Sequence, residues 1–144
     1  MGSQDANATE KEELAAEGCL NGITFDAGGL IALERGDRRV DSIVRTALAG
    51  GDLIVVPATA LAQVIRNPAR QVRLWRMVQH DQTGVVPLDA FHAQAVGLLL
   101  ANRGTSDSAD AHVVVCAQKA GFAVITSDPL DLRRLDPELR LIVV

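Results

Sequence analysis

Four aspartates in this 144-residue chain, Asp26, Asp107, Asp110 and Asp128, stand where carboxylates could do chemistry, together with one amide, Gln63. Asp107 and Asp110 lie three residues apart in TSDSADAHVVV, ahead of an almost wholly apolar run. Asp26 follows GITF, and Asp128 follows FAVITS. Carboxylates are among the side chains least often buried without a partner. Crowded together they repel, and one takes up a proton unless something compensates. A hard divalent cation compensates, and an oxygen donor set without His or Cys selects magnesium or manganese. Each aspartate also has a simpler reading. The 107/110 and 128/131 spacings suit helix caps, the second with Pro129 at the first helical position, and Asp26 can cap the helix after it. Taken singly, capping and function are evenly matched.

Whether the carboxylates meet depends on the elements that carry them. Residues 23–27 read as a buried strand and 29–35 as a helix. A second helix, 39–49, puts Val40, Ile43, Val44, Ala47 and Leu48 on one face before Gly50-Gly51 stops it. Strand 53–56 closes at Pro57, and Thr59 can cap a helix that runs to Asn67-Pro68. Then follow a helix over 69–79, a short strand at 85–87, and a helix over 91–102 ending at Gly104. The helix opened by Asp107 runs to Lys119, with Gly121 as its stop. Strand 122–126, a short helix near 130–135 and a last strand over 139–144 complete the pattern. Strands separated by helices imply an α/β, three-layer fold: a central, mostly parallel sheet of about five strands flanked by helices. The strands are apolar without alternation, as sheets covered on both faces require. Ligands of such sheets gather at the carboxyl ends of the strands. Asp26, Asp128 and the helix start bearing Asp107 and Asp110 all fall on that edge, with Gln63 early in the helix after the second strand. That convergence is the main functional signal.

The length fits one domain. Residues 1–22 hold Asp5, Glu10, Glu12, Glu13 and Glu17 against Lys11, which accounts for the whole formal charge of −4. They read as a flexible acidic leader whose Met-Gly-Ser start resembles a tag remnant, so that 23–144 forms the folded domain. No apolar run approaches a membrane span and no secretory pattern opens the chain, so a cytoplasmic protein is expected. Cys19 and Cys116 lie far apart and read as free thiols, with no zinc site. His80, His92 and His112 form no cluster in the sequence, and His112 reads as a packing residue. Asp-x-Asp after the first strand and Gly-rich phosphate loops are both lacking, which argues against a phosphatase and a nucleotide-binding fold. Nearly all basic residues are Arg. Arg66, Arg70, Arg73 and Arg76, at spacings of four, three and three, form a candidate helical stripe for RNA, with Pro68 as its weak point. Arg35, after the first strand, joins Arg66, Arg70 and Arg73 as an RNA-binding candidate; a solvated helix face is the alternative. Aromatic residues are too few for base stacking to dominate. Leu98-Leu99-Leu100 reads as core or as part of a dimer surface.

The segments FDAGGLIAL (25–33), VPATALAQV (56–64), SDSADAH (106–112) and VITSD (124–128) resemble, in that order and spacing, the PIN-domain nucleases, and most closely the VapC-like toxins of bacterial toxin–antitoxin pairs. The resemblance covers residues 23–144. It implies that Asp26, Asp110 and Asp128 bind Mg2+ or Mn2+, with Asp107 as a nearby helper. It implies an endoribonuclease toxin that cleaves RNA phosphodiesters, transfer or ribosomal RNA among the targets, by a metal-activated water. A cognate antitoxin that neutralises it and a homodimeric state are implied as well. The family pattern has Glu at position 63 and often Ser or Thr in the turn after the first Asp; here stand Gln63 and Gly28-Gly29. An amide can ligate a metal but adds no charge and cannot act as a base, so weakened metal affinity and activity are expected. The replacement is either natural or a deliberate Glu-to-Gln change. The alternative it keeps open is a catalytically silent PIN-like module that acts by binding antitoxin or RNA.

Overall fold

The computed structural model describes residues 21–105 and 107–144. Most of the expected leader, with Cys19, lies outside the described residues. Five short apolar stretches form the strands β1 (Gly22–Phe25), β2 (Leu53–Pro57), β3 (Thr83–Val86), β4 (Ala123–Thr126) and β5 (Leu141–Val143). They make one all-parallel sheet in the order β3-β2-β1-β4-β5. β1 and β4 are buried at every position, while β3 and β5 form the partly exposed edges. Among the described residues, seven helices flank the sheet: α1 (Ala27–Glu34), α2 (Arg38–Ala49), α3 (Ala58–Val64), α4 (Val72–Val78), α5 (Ala90–Arg103), α6 (Ser108–Ala120) and α7 (Pro129–Leu135). From β1 the chain builds outward through β2 and β3, then crosses to the other side of β1 for β4 and β5. Where the strand order reverses, right-handed crossovers send their helices to opposite faces and open a crevice at the carboxyl ends. Here that point lies between β1 and β4.

Local chemistry sets the helix limits. Asp37 Oδ1 accepts from the N–H groups of Arg39 and Val40 at 2.9 and 3.0 Å to start α2, and Asp89 Oδ1 accepts from His92 N at 2.8 Å to start α5. Gly104 and Gly121, both left-handed, end α5 and α6. The amphipathic face expected of α2 turns inward, with Val40, Val44 and Ala47 buried and Ile43 and Leu48 packed against the core. Phe25, Leu30, Ile54, Val113, Val114 and Ile125 are fully buried at the centre. Each such burial is worth roughly 1.5–3 kcal/mol.

Two expectations fail for identifiable reasons. The helix after β2 does not start on a Thr59 cap and does not reach Asn67. Pro57 occupies the cap position without a side-chain bond, the Thr59 hydroxyl faces His112 Nδ1 at 2.7 Å, and the helix stops at Val64. The next helix begins only at Val72, because the buried Gln71 side chain holds the intervening turn. Its Oε1 accepts from Arg66 N (3.0 Å) and Asn67 N (3.2 Å), and its Nε2 donates to Val64 O (2.9 Å). The arginine stripe is therefore interrupted: Arg66 and Arg70 sit in the connection, and Arg73 and Arg76 on α4.

Candidate functional site

The switch point brings the chemistry-bearing residues together. Phe25 pairs with Ile125 across β1 and β4, so Asp26 emerges beside Thr126, and Asp26 N donates to Ile125 O at 3.3 Å. Asp26 then caps α1, its Oδ1 accepting from Gly29 N at 2.7 Å. The glycine pair permits this approach. A Cβ on Gly28 would collide with Ser127 Oγ, and one on Gly29 with the Ile125 carbonyl. Ser127 thus sets a hydroxyl against the Gly28-Gly29 turn, where the family pattern often has Ser or Thr. Thr126 Oγ1 accepts from Asp128 N at 3.0 Å and curls the chain toward α7. Asp128 stands at the cap position of α7 yet makes no cap bond, so its exposed carboxylate is unspent. Asp107 does cap α6, its Oδ1 accepting from Asp110 N at 3.0 Å.

The electrostatics tie these groups into one cluster. Asp26, only 5 % exposed, has its pKa raised above the usual carboxylate range. Burial is the main cause, and the Asp128 charge adds to it. The Thr126 hydroxyl and the Gly29 and Gly28 backbone N–H groups pull the other way. Asp110 is pushed up to about 7, first by burial, then by the Asp107 charge and hydrogen bond, then by the charges of Asp131 and Asp26. Asp26 thus feels Asp128, and Asp110 feels Asp107, Asp131 and Asp26. Asp131, read from the sequence only as a capping partner, belongs to this cluster too. A hollow of about 650 Å³ opens beside the cluster, lined by Asp107, Asp110 and Asp131 and edged by Arg103 and Arg134. Sequence reasoning missed these two arginines. Their signals were modest: Arg103 precedes the Gly104 stop, and Arg134 stands one helical turn after Asp131. In the structure Arg134 and Asp131 form an exposed 3.9 Å ion pair.

The other sequence candidates do not line the hollow. Gln63 is exposed in the last turn of α3 rather than early in it; α3 packs against both α1 and α6. Arg35 ends α1, a helix length of about 12 Å from the Asp26 cap. Arg66 Nη1 donates to its neighbour's carbonyl, Ile65 O, at 2.8 Å. Arg70 is exposed in the α3–α4 connection. Arg73 lines a separate hollow of about 320 Å³ with Arg45, Arg76 and His80. None of these four arginines lines the carboxylate hollow.

The histidines require a correction. His92 and His112 do meet, edge to face, with ring centroids 5.2 Å apart. Cys116 lies one helical turn beyond His112, and ligand atoms of all three residues fall within 4.8 Å of one another. α5 packs against α6, and that contact joins residues twenty positions apart in sequence.

Comparison with known proteins agrees with this architecture. The PIN domain family model matches residues 23–136. No curated protein sequence matches the chain. Among solved structures, VapBC2 from Rickettsia felis, bound to a promoter DNA fragment, is similar at a TM-score of 0.64 and 15 % identity, covering 85 % of this chain and 98 % of that one. FitAB bound to the IR36 DNA fragment is similar at 0.58 and 15 %, covering 84 % and 94 %. A FitAcB structure from Neisseria gonorrhoeae is similar at 0.55 and 14 %, covering 83 % and 96 %. With a family model spanning most of its length and a parallel sheet whose switch point gathers acidic side chains, the chain belongs to the PIN domain family.

Proposed function

We propose that the chain is a divalent-metal-dependent endoribonuclease of toxin–antitoxin type. The observation that carries this is the pair of raised carboxyls at the β1–β4 switch point: Asp26, raised by burial and the Asp128 charge, and Asp110, raised by burial and the Asp107, Asp131 and Asp26 charges. PIN domains are generally nucleases, and the similar VapBC2 and FitAB structures are in keeping with the reading.

The donor set fits a hard cation: the carboxylates offer oxygen only, and Asp26 and Asp110 are raised first by burial and then by neighbouring carboxylate charge. Asp26, Asp110 and Asp128 would hold Mg2+ or Mn2+. When bound, such an ion supplies a water of lowered pKa and stabilises charge on the leaving oxygen of a phosphodiester. The chain's own residues do the rest. The Gly29 N–H fixes one oxygen of Asp26, and Asp107 fixes the helix start that presents Asp110. Arg103 and Arg134, beside the hollow, are suited to draw a phosphate toward the acidic floor. Arg35, Arg66, Arg70 and Arg73 serve as more distant contacts for a long substrate such as transfer or ribosomal RNA. Gln63, lacking charge, weakens the site relative to a Glu. A cognate antitoxin, a homodimer using the exposed Leu98, and a cytoplasmic setting complete the proposal; no described helix is long and apolar enough to cross a membrane.

The test is Mn2+-dependent cleavage of transfer and ribosomal RNA by the present chain, Asp26→Asn and Gln63→Glu. Cleavage that Asp26→Asn abolishes and Gln63→Glu increases is expected. RNA left intact by both the present chain and Gln63→Glu overturns the nuclease reading and favours the silent module, for which Gln63 is the supporting feature.

A further inference from the structure

We propose that His92, His112 and Cys116 form a second, thiolate-bearing metal site that takes Zn2+ and clasps α5 to α6. The proposal uses none of the carboxylates of the nuclease reading and stands apart from it. His112 and Cys116 are four apart on α6 and share a face. Asp110 lies about 200° around the helix from His112. His92 comes from the first turn of α5.

Three features make this a site rather than a chance meeting. First, the ligand atoms already lie within 4.8 Å of one another. Tetrahedral zinc bonded to two nitrogens and a sulfur needs separations of about 3.4–3.6 Å, so closure requires movement of about 1 Å. The half-buried His92 is the ligand free to supply it. Second, His92 Nδ1 and His112 Nε2 are buried with no hydrogen-bond partner of good geometry, and His112 is 0 % exposed. The Pro87 carbonyl acts on the His112 ring but makes no hydrogen bond of good geometry with Nε2, so that nitrogen is open to donate its lone pair to a metal. Third, the other nitrogen of His112 is already held: Nδ1 lies 2.7 Å from Thr59 Oγ1. When Nδ1–H donates to that hydroxyl, Nε2 carries the lone pair, which is the outer bond that orients a metal-binding histidine.

The empty site is also electrically prepared. Burial pushes the Cys116 thiol up to about 11, against the Lys119 ammonium that lowers it. On binding, Zn2+ forms one bond to sulfur and two to nitrogen, and one thiol proton leaves to solvent. Three protein ligands leave the fourth position to water on the open side of His92.

The test titrates Co2+ into the chelator-stripped full chain, with Mg2+ present in excess to occupy the carboxylates. One equivalent of Co2+ should give a near-ultraviolet thiolate-to-cobalt band and the intense visible bands of four-coordinate cobalt, both displaced by Zn2+. Cys19→Ser and Asp26→Asn should keep the signal, and Cys116→Ala should abolish it. His92→Ala, at a half-exposed position that folding tolerates, should weaken affinity about tenfold or more, so the proposal stays testable if Cys116→Ala misfolds. A band that follows Cys19 instead of Cys116, affinity unchanged in His92→Ala, or no thiolate band at millimolar Co2+ overturns the proposal.

Discussion

Protons and divalent ions should compete for Asp110. In the metal-free protein its pKa stands at about 7, raised by burial and by the Asp107, Asp131 and Asp26 charges. A cation binds the ionised form, so apparent affinity scales with the deprotonated fraction. That fraction falls about tenfold between pH 8 and pH 6 for a group titrating near 7. Mg2+ or Mn2+ affinity, measured by calorimetry, should therefore drop about tenfold over that interval. Stability should run the opposite way without metal. An acid whose folded pKa is raised binds its proton more tightly when folded. The native state is thus favoured at low pH, and that advantage is lost as pH rises from about 4 to about 7. The shift of roughly three units corresponds to at most about 4 kcal/mol. Thermal melts of chelated protein should show this decline, and Asp110→Asn should flatten it while raising the melting temperature near pH 8. A metal affinity that does not change between pH 6 and pH 8, together with melts of the same pH profile in Asp110→Asn, would refute the reasoning.

Asp128→Asn should leave folding stability within about 0.5 kcal/mol, since the side chain makes no cap bond, yet lower divalent affinity; a large loss of stability in denaturant melts would show a structural role instead. Gly28→Ala should destabilise the fold by about 1–3 kcal/mol because its methyl meets the Ser127 hydroxyl, and Ser127→Gly should relieve part of that cost in a double-mutant cycle. Gln71→Leu should cost about 2–4 kcal/mol, measured by urea unfolding, since two backbone donors and one carbonyl lose their partner. Arg103→Ala should weaken RNA binding and lower its salt slope by about one, whereas an unchanged slope would remove Arg103 from the interface.

The carboxylate cluster was legible in the sequence because it needs little tertiary knowledge. If every strand is parallel, the residue after each strand and the first turn of each following helix share one edge, whatever the strand order. Asp26, Asp110 and Asp128 satisfy that condition locally. The arginine stripe failed because Gln71 has no pattern that announces it. A single buried amide pairs backbone groups that a continuous helix would have paired, and periodicity cannot register such a substitute. The His92, His112 and Cys116 group was half visible. Its α6 members stand at one-turn spacing, but His92 joins them only through the packing of α5 on α6.

The capping and metal readings of the aspartates turn out to be compatible, and their magnitudes separate them. Asp26 and Asp107 each spend an oxygen on a backbone N–H, which fixes the carboxylate's direction. A cap is typically worth about 1 kcal/mol. Ionised Asp110, pressed by burial and three carboxylates, can cost several times that. A chain that needed only caps would keep its aspartates apart, as Asp37 and Asp89 are kept on α2 and α5. Gathering them at the switch point lowers stability at neutral pH, and under the proposed function a bound cation would recover it.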